Sequence, residues 1–255
     1  MSILNIAPDI YQALPHKVTA KAADYDGGST PMHSHPRAQL IYASSGVMRI
    51  ETEYGCWIVP PLRGVWIPPE VMHTAHMQSR VQVRTLYIRA DIAANLSKHC
   101  CLVEVSPLLR SLVIALTEDN VDYDETGRSG LIAQLALLEI KFLKTPALHL
   151  PLPRNPKLML ICQEMLKRPD VQVTIELIAD QLAMSTRTLA RKFKKETTLS
   201  FSQWRQQARL IEALSKLADQ QPVAKIASDL GYLSASAFTA MFKRTLGIEP
   251  SRYFK

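Results

Sequence analysis

Two stretches in the last third of the chain, Thr174-IELIADQLAM-Ser185-TRTLARKFKKE and Pro222-VAKIASDLGYL-Ser234-ASAFTAMFKR, share one plan. Each has an apolar-periodic segment, a short turn, a serine able to cap, and a second amphipathic segment. That is the build of a helix-turn-helix, in which the second helix enters the DNA major groove. In the first unit Ile175, Ile178, Ala179 and Leu182 make an inward face, and Leu189 and Phe193 continue it four residues apart. In the second, Val223, Ile226, Ala227 and Leu230 pack, Gly231 permits the turn, and Ala237, Phe238 and either Met241 or Phe242 anchor the following helix.

Between the units, Phe201, Trp204, Ala208, Ile211 and Leu214 recur at spacings of three and four, so one long helix from Ser200 to Leu217 is expected to hold them at a fixed spacing. Trp204 reads as core. The candidate DNA contacts follow from which faces stay outward. Ser185 caps the first recognition helix, and Thr186, Arg187, Thr188, Arg191 and Lys192 lie off its packed side. Arg187 and Arg191 are four apart and can both face a groove, where arginine engages guanine. Lys194, Arg205 and Arg209 read as phosphate contacts. The second helix offers Ser234, Ala235, Ser236, Thr239 and Ala240, then Lys243 and Arg244, a face with little capacity for bidentate base reading.

Charge agrees with this division. The 255 residues carry a formal net charge of +7; residues 1–150 hold 13 Lys/Arg against 14 Asp/Glu, and residues 151–255 hold 17 against 9. The excess that attracts polyanions lies in one part. The four cysteines, Cys56, Cys100, Cys101 and Cys162, lack CxxC spacing, no start-of-chain signal pattern is visible, and no apolar run reaches membrane-spanning length. The expectation is a cytoplasmic protein with reduced thiols and no membrane partner.

Residues 18–90 read as short strands and turns: YDGG at 25–28 as a tight turn, QLIYA at 39–43, SSG at 44–46 as a turn into VMRIET, then CWIVP, a proline corner at 60–61, GVWIPP, and VQVRTLYI at 81–88. A small barrel or sandwich is expected. From residue 104 the period changes to helical, with helices over 107–118 and 129–144; in the latter Leu131, Leu135, Leu138 and Phe142 form one stripe, widened by Ala136, Ile140 and Leu143. This pair must pack on the strands, on another subunit, or on both. Four prolines in 146–156 mark a semi-extended connector. The fold class is therefore α+β, with strands over 1–103, a helical pair over 104–145, a linker over 146–157 and an all-α domain over 158–255.

Residues 158–255 closely resemble the carboxy-terminal domain of the AraC/XylS family of bacterial transcription regulators, down to the closing pattern Ala227-SDLGYLSASAFTAMFKRTLGIEPSRYF. The resemblance implies seven helices and two recognition helices in successive major-groove segments of promoter DNA. It places base-reading positions at Thr186, Arg187, Arg191, Ala235, Ser236, Thr239 and Ala240. It also implies a homodimer and a contact with RNA polymerase.

In the amino-terminal part, His33 and His35 are two apart and would share a strand face, Gln39 follows, and His73 lies downstream. The spacing resembles the paired motifs of the cupin superfamily, where three histidines and a carboxylate surround a metal, and the region is similar to the sensor of the nitroimidazole-resistance subgroup of AraC-type regulators. That makes His33, His35, Gln39 and His73 the ligand-equivalent positions, for Zn, Ni, Fe or Mn. The chain departs from the pattern at Gln39, which stands where Glu is usual. Three readings stay open: a metal site, a small-molecule effector pocket, or structural histidines. Tyr42, Met48, Trp57, Trp66 and Tyr87 are the aromatic and thioether candidates for an effector pocket. A regulator controlled by metal or effector is the leading expectation. The rival is a cupin-type metal-dependent oxygenase or isomerase fused to a DNA-binding tail.

Overall fold

A computed structural model describes residues 10–53, 55–60, 63–143, 148–169 and 173–253. Pro61 of the expected corner and residues 144–147, shared by the expected second helix and connector, lie outside the described residues. The chain divides into two compact units, one of residues 1–53 and 57–145, the other of 54–56 and 146–255.

The first unit is a curled antiparallel sheet. A short helix α1 (Ile10–Ala13) leads into β1 (Val18–Ser29), β2 (Ala38–Ser45), β3 (Met48–Thr52), β4 (Gly55–Val59), β5 (Arg63–Ile67), β6 (His73–Ile88), α2 (Ala90–Ala93) and β7 (Cys101–Glu104). Then follow α3 (Pro107–Glu118), α4 (Arg128–Leu138) and β8 (Lys141–Leu143). The strand order is β8-β7-β5-β2-β6-β3-β4, with β1 also on β6. The 16-residue β6 serves as spine: β1 runs along one edge from His76 to Ile88, and the other edge pairs first with β3 (His73 to Met77) and then with β2 (Gln82 to Ile88).

The glycines of YDGG do not turn the chain. Gly27 and Gly28 take φ of 87° and 106° inside a continuous β1, where the register to β6 shifts between Asp26 and Gly28. Glycine here supplies a bulge that bends the strand, which curls the sheet. Gly46, at φ 79°, makes the expected turn between β2 and β3.

Strand alternation splits the sheet into two faces. Val18 and Ala20 of β1, Leu40 and Tyr42 of β2, Trp66 of β5, and Leu86 and Ile88 of β6 point to one side, where Leu109, Leu112, Val113 and Leu116 of α3 and Ala133 and Ala136 of α4 cover them. α3 begins as its sequence dictates: Ser106 accepts a hydrogen bond from the Leu109 amide at 3.1 Å and Pro107 takes the first helical position. Cutting Leu112 to alanine in this layer costs about 2–5 kcal/mol.

The second helix is shorter than the 129–144 expected. α4 ends at Leu138, and residues 141–143 form β8, paired to β7 from Leu102 to Glu104. The β7 edge offers a ladder of unpaired amides and carbonyls, and pairing satisfies them better than two further helical turns. Leu131, Leu135 and Leu138 are 61%, 41% and 79% exposed, and the buried face of α4 is Ser129, Gly130, Ala133 and Ala136.

The second unit comprises β9 (His149–Pro151), α5 (Pro156–Lys167), α6 (Ile175–Gln181), α7 (Thr186–Thr197), α8 (Phe201–Ala218), α9 (Val223–Asp229), α10 (Ala235–Leu246) and a 3-10 turn (Pro250–Arg252). Six α-helices and that turn stand, among the described residues, where the family resemblance implies seven helices. α8 starts with a full capping box between Ser200 and Gln203. Trp204 is completely buried and donates from Nε1 to the Pro151 carbonyl at 2.8 Å, so residues of the expected connector are bound to this helix. Phe193 meets Phe201 and Trp204 edge-on, while farther along α8 Lys216 pairs with Asp229 of α9 at 3.0 Å. The helix is thus fastened to both helix-turn-helix units. Among the described residues no helix is long and apolar enough to cross a membrane.

Candidate effector cavity and nucleic-acid interface

The face of the sheet opposite the helices walls a cavity of about 510 Å3. Its wall follows the odd positions of three strands: Lys21, Ala23 and Tyr25 of β1, Gln39 and Ile41 of β2, and His73, Ala75, Met77, Val83, Thr85 and Tyr87 of β6. The loop before β2 adds His33 and His35, and α1 adds Gln12. Among the described residues that line it there is no carboxylate.

His33, His35 and His73 come together there, with one ligand nitrogen from each lying within 4.8 Å of the others. An isolated antiparallel bridge joins the backbones of His33 and His73, with amide-to-carbonyl distances of 3.0 and 2.8 Å in the two directions. Each ring is oriented by its own Nδ1. His33 Nδ1 faces the Pro31 carbonyl at 2.9 Å, His35 Nδ1 the Arg37 carbonyl at 2.7 Å, and His73 Nδ1 the Val71 carbonyl at 2.8 Å. A carbonyl can only accept, so each Nδ1 carries a proton, and a ring in its neutral form then keeps its lone pair on Nε2. His73 Nε2 is buried with no hydrogen-bond partner, and burial pushes that imidazole down to about 3, which keeps it neutral. Gln39 Oε1 stands 3.2 Å from His35 Nε2. His76 is excluded: it lies at an even position of β6, bonded to Ser29 at 2.8 Å and facing Glu51 at 3.4 Å.

Arg37 fixes the rim. Its guanidinium is buried and donates to the carbonyls of His16, at 2.9 Å, and of Gln12 and Leu14, binding the segment after α1 against the sheet.

Of the five residues expected around an effector, only Tyr87 lines the cavity. Tyr42 and Trp66 belong to the core under α3 and α4, Trp66 donating to the Ser97 carbonyl at 2.8 Å, and Met48 and Trp57 are fully buried. The reason is parity: Tyr42 is three residues from Gln39 on one strand and therefore faces the other side. Lys21, Tyr25, Thr85 and Gln12 were missed. For Thr85 the signal was present, since it alternates with Tyr87.

In the second unit both turns have the same construction. Ala183, at φ 50°, lets the Met184 amide bond back to the Ala179 carbonyl at 2.9 Å; Gly231, at φ 71°, lets the Tyr232 amide reach Ala227 at 2.9 Å. Ser185 accepts from the Thr188 amide at 3.2 Å and Ser234 from the Ala237 amide at 3.1 Å, so both expected caps form. On α7, Leu189 and Phe193 are buried, Thr186, Arg187, Thr188, Arg191 and Lys194 are exposed, and Lys192 is half-buried. On α10, Phe238, Met241 and Phe242 are buried and Ser236, Ala240, Lys243 and Arg244 exposed, with Ala235 and Thr239 half-buried; Lys243 pairs with Glu249 at 2.9 Å. Arg205 and Arg209 are not free surface charges. Arg205 Nη1 donates to the Val173 carbonyl at 2.7 Å, and Arg209 Nε points to the Pro169 carbonyl at 3.4 Å.

A curled sheet with a ligand-sized cavity, joined to two capped helix-turn-helix units, defines a DNA-binding regulator with a sensory domain. Comparison with known proteins agrees. Residues 178–255 match a helix-turn-helix domain family and residues 15–136 an AraC-like ligand binding domain family. The HTH-type transcriptional regulator NimR of Escherichia coli is 36% identical over 231 residues, 91% of this chain and 84% of that protein. The HTH-type transcriptional regulator RipA of Corynebacterium glutamicum is 33% identical over 127 residues, 50% of this chain and 37% of its own. Among solved structures, ToxT from Vibrio cholerae aligns over 94% of this chain and 98% of its own with 12% identity and a TM-score of 0.40. The chain belongs to the AraC family of transcription regulators, with a ligand-binding amino-terminal domain and a DNA-binding carboxy-terminal one.

Proposed function

We propose that His33, His35 and His73 hold a divalent transition metal, and that occupancy of this site and its cavity sets how α7 and α10 engage promoter DNA. The observation that carries the reading is the common orientation of the three rings. Each Nδ1 is committed to a backbone carbonyl, which leaves Nε2 as the ligand atom of each neutral ring, and one ligand nitrogen from each lies within 4.8 Å of the others. Carbonyl-oriented imidazoles of this kind are what metal sites use to fix tautomer and direction. Three imidazoles with a neutral amide oxygen suit Zn, Ni or Fe better than Mn, which favours carboxylates.

Elemental analysis of protein purified without a histidine tag, before and after reconstitution, tests this. One equivalent per chain that His73→Ala abolishes supports it, and no metal in the reconstituted wild type overturns it. In that outcome the second reading takes over, a small-molecule effector held by the imidazoles. It is supported by the rest of the cavity, where Ile41, Met77 and Val83 offer apolar wall and Lys21, Thr85 and Tyr87 polar groups.

The oxygenase or isomerase alternative needs a group to move protons, a task the cavity's imidazoles, Lys21 or Tyr87 could also serve, so it is the identity to transcription regulators that favours sensing. Sensing is the better-supported use of the site. On the DNA side, Arg187 and Arg191 are read as the base-reading pair and Lys194 as a backbone contact. The smaller residues of α10 serve as a clamp of weaker base preference. The exposed leucines of α4 support a homodimer through that helix. A cytoplasmic location follows from the work of a transcription regulator.

A further inference from the structure

Residues 12–18, which lead from α1 into β1, are held from two sides. On the cavity side stands Arg37, only 4% exposed, whose Nη1 donates to the His16 carbonyl at 2.9 Å, Nε to the Gln12 carbonyl at 3.4 Å and Nη2 to that of Leu14. The Arg37 carbonyl in turn accepts from His35 Nδ1 at 2.7 Å, and Gln12 lines the cavity. One arginine therefore meets both a histidine of the site and a residue of the cavity wall.

On the other side is the loop before α4. His16 Nε2 stands 2.8 Å from Asp122 Oδ1 and His16 Nδ1 3.6 Å from Glu125 Oε1, with the ring stacked on Tyr123 at 4.4 Å. Glu125 Oε1 also accepts from the Lys17 amide at 2.8 Å, and the Tyr123 hydroxyl donates to the Val18 carbonyl. His16, Lys17 and Val18 thus fasten Asp122, Tyr123 and Glu125. Loop and helix are joined as closely. Gly130 of α4 lies so near Glu125 that a Cβ there would collide with the Glu125 carbonyl, and the Ser129 hydroxyl donates to Asp119. Gly127 at the helix start supplies no side-chain cap, so these loop contacts place the first turn of α4.

We infer that Arg37 and His16 form a relay that carries occupancy of the histidine cavity to α4, the helix with the exposed leucines. An occupant that pulls on His35 or Gln12 shifts the backbone Arg37 holds, His16 moves with that backbone, and the loop clasping its ring moves α4. In a close-packed layer such short links pass a small shift on instead of absorbing it. Two positioning residues with no place in the cavity wall then set how site and helix communicate. The inference rests on the reading of the cavity as the sensory site, and the path through Arg37 is the same for a metal and for an organic effector.

Hydrogen-deuterium exchange of the full-length protein, read by mass spectrometry over residues 119–131, tests the relay. In metal-free protein His35→Ala, which removes the bond to the Arg37 carbonyl, is expected to speed exchange there about fivefold. His33→Ala, which removes a bond to the Pro31 carbonyl in the same cluster, leaves it unchanged. In a His16→Gln background the His35→Ala effect disappears, a non-additivity that a general loss of stability does not produce. Zinc at one equivalent slows the same peptides of the wild type by about threefold and leaves those of His16→Gln unchanged, both proteins binding zinc equally in competition with a chelator. Equal exchange in His35→Ala and His33→Ala, a His35→Ala effect of full size in the His16→Gln background, or zinc that binds the wild type without slowing these peptides overturns the relay. A wild type that takes up no zinc removes the metal reading instead, and the variants in metal-free protein still decide the relay. Should His16→Gln lose its cooperative unfolding transition, Asp122→Asn with Glu125→Gln, on the loop side of the clasp, takes its place.

Discussion

His35 Nε2 and Gln39 Oε1 face each other at 3.2 Å while His35 Nδ1 donates to the Arg37 carbonyl, which sets one acceptor against another in a buried wall. With a neutral ring, either the amide turns its NH2 toward the imidazole or a cation is shared by the two; a protonated ring would instead donate to the amide oxygen. The metal reading requires the shared cation. Gln39→Glu then adds the missing anionic ligand and tightens Zn or Ni binding at least tenfold, whereas Gln39→Leu weakens it roughly tenfold. Competition against a chromophoric chelator measures both. Identical affinities for wild type and both variants would mean that Gln39 is no ligand.

Arg187 and Arg191 share an exposed face of α7, one helical turn apart. Arg187→Ala and Arg191→Ala are each expected to cost about 1–3 kcal/mol of preference for the cognate site, while Lys194→Ala weakens all duplexes more evenly. Genome-wide mapping of bound fragments supplies the cognate site, and fluorescence anisotropy on cognate and scrambled duplexes compares the three. Equal losses on both duplexes for all three variants would remove the base-reading assignment.

What could be read from the sequence followed the range of the interaction. Caps at Ser185 and Ser234 and the Leu189–Phe193 face are local, decided within one or two helical turns, and the structure has them where the pattern puts them. The site histidines were legible through the resemblance to the paired cupin motifs, which links His33 and His35 to His73, 38 residues beyond His35. The cavity wall was not: Lys21 joins it only because β1 pairs with β6 with Lys21 opposite Thr85, a register set by residues more than sixty positions apart. The reading of YDGG failed for a related reason, since a glycine pair with positive φ serves a turn or a bulge alike, and only the partner strand decides. The α4 boundary failed because β7, 37 or more residues earlier, competes for the backbone of residues 141–143.

Ala183 and Gly231 occupy equivalent turn positions at φ 50° and 71°, and only one of them is the residue that conformation favours. Ala183→Gly is therefore expected to stabilise the second unit by about 0.5–1 kcal/mol, and Gly231→Ala to destabilise it by about 1 kcal/mol or more. Urea unfolding followed by tryptophan fluorescence of Trp204 reads both. A loss of stability in Ala183→Gly would show that the alanine methyl makes contacts that outweigh the backbone strain.

Leu131, Leu135 and Leu138 run along the face of α4 that its own sheet does not cover, while the fully buried positions are Ser129, Gly130, Ala133 and Ala136, flanked by the partly buried Ile132 and Leu137. A helix that packs its small residues closely on its own sheet and leaves three leucines exposed in one stripe fits one that meets another surface through that stripe. If that surface is the same face of a second copy, the contact is two-fold and self-complementary. Leu131→Glu with Leu135→Glu then converts a dimer to a monomer by sedimentation, with the far-ultraviolet circular dichroism and unfolding midpoint unchanged, because neither side chain supports the monomer core. Binding to DNA weakens together with dimer loss, since linked half-sites gain from effective concentration. A wild type that sediments as a monomer at micromolar concentration, or a double variant that stays dimeric, would move the dimer reading away from α4.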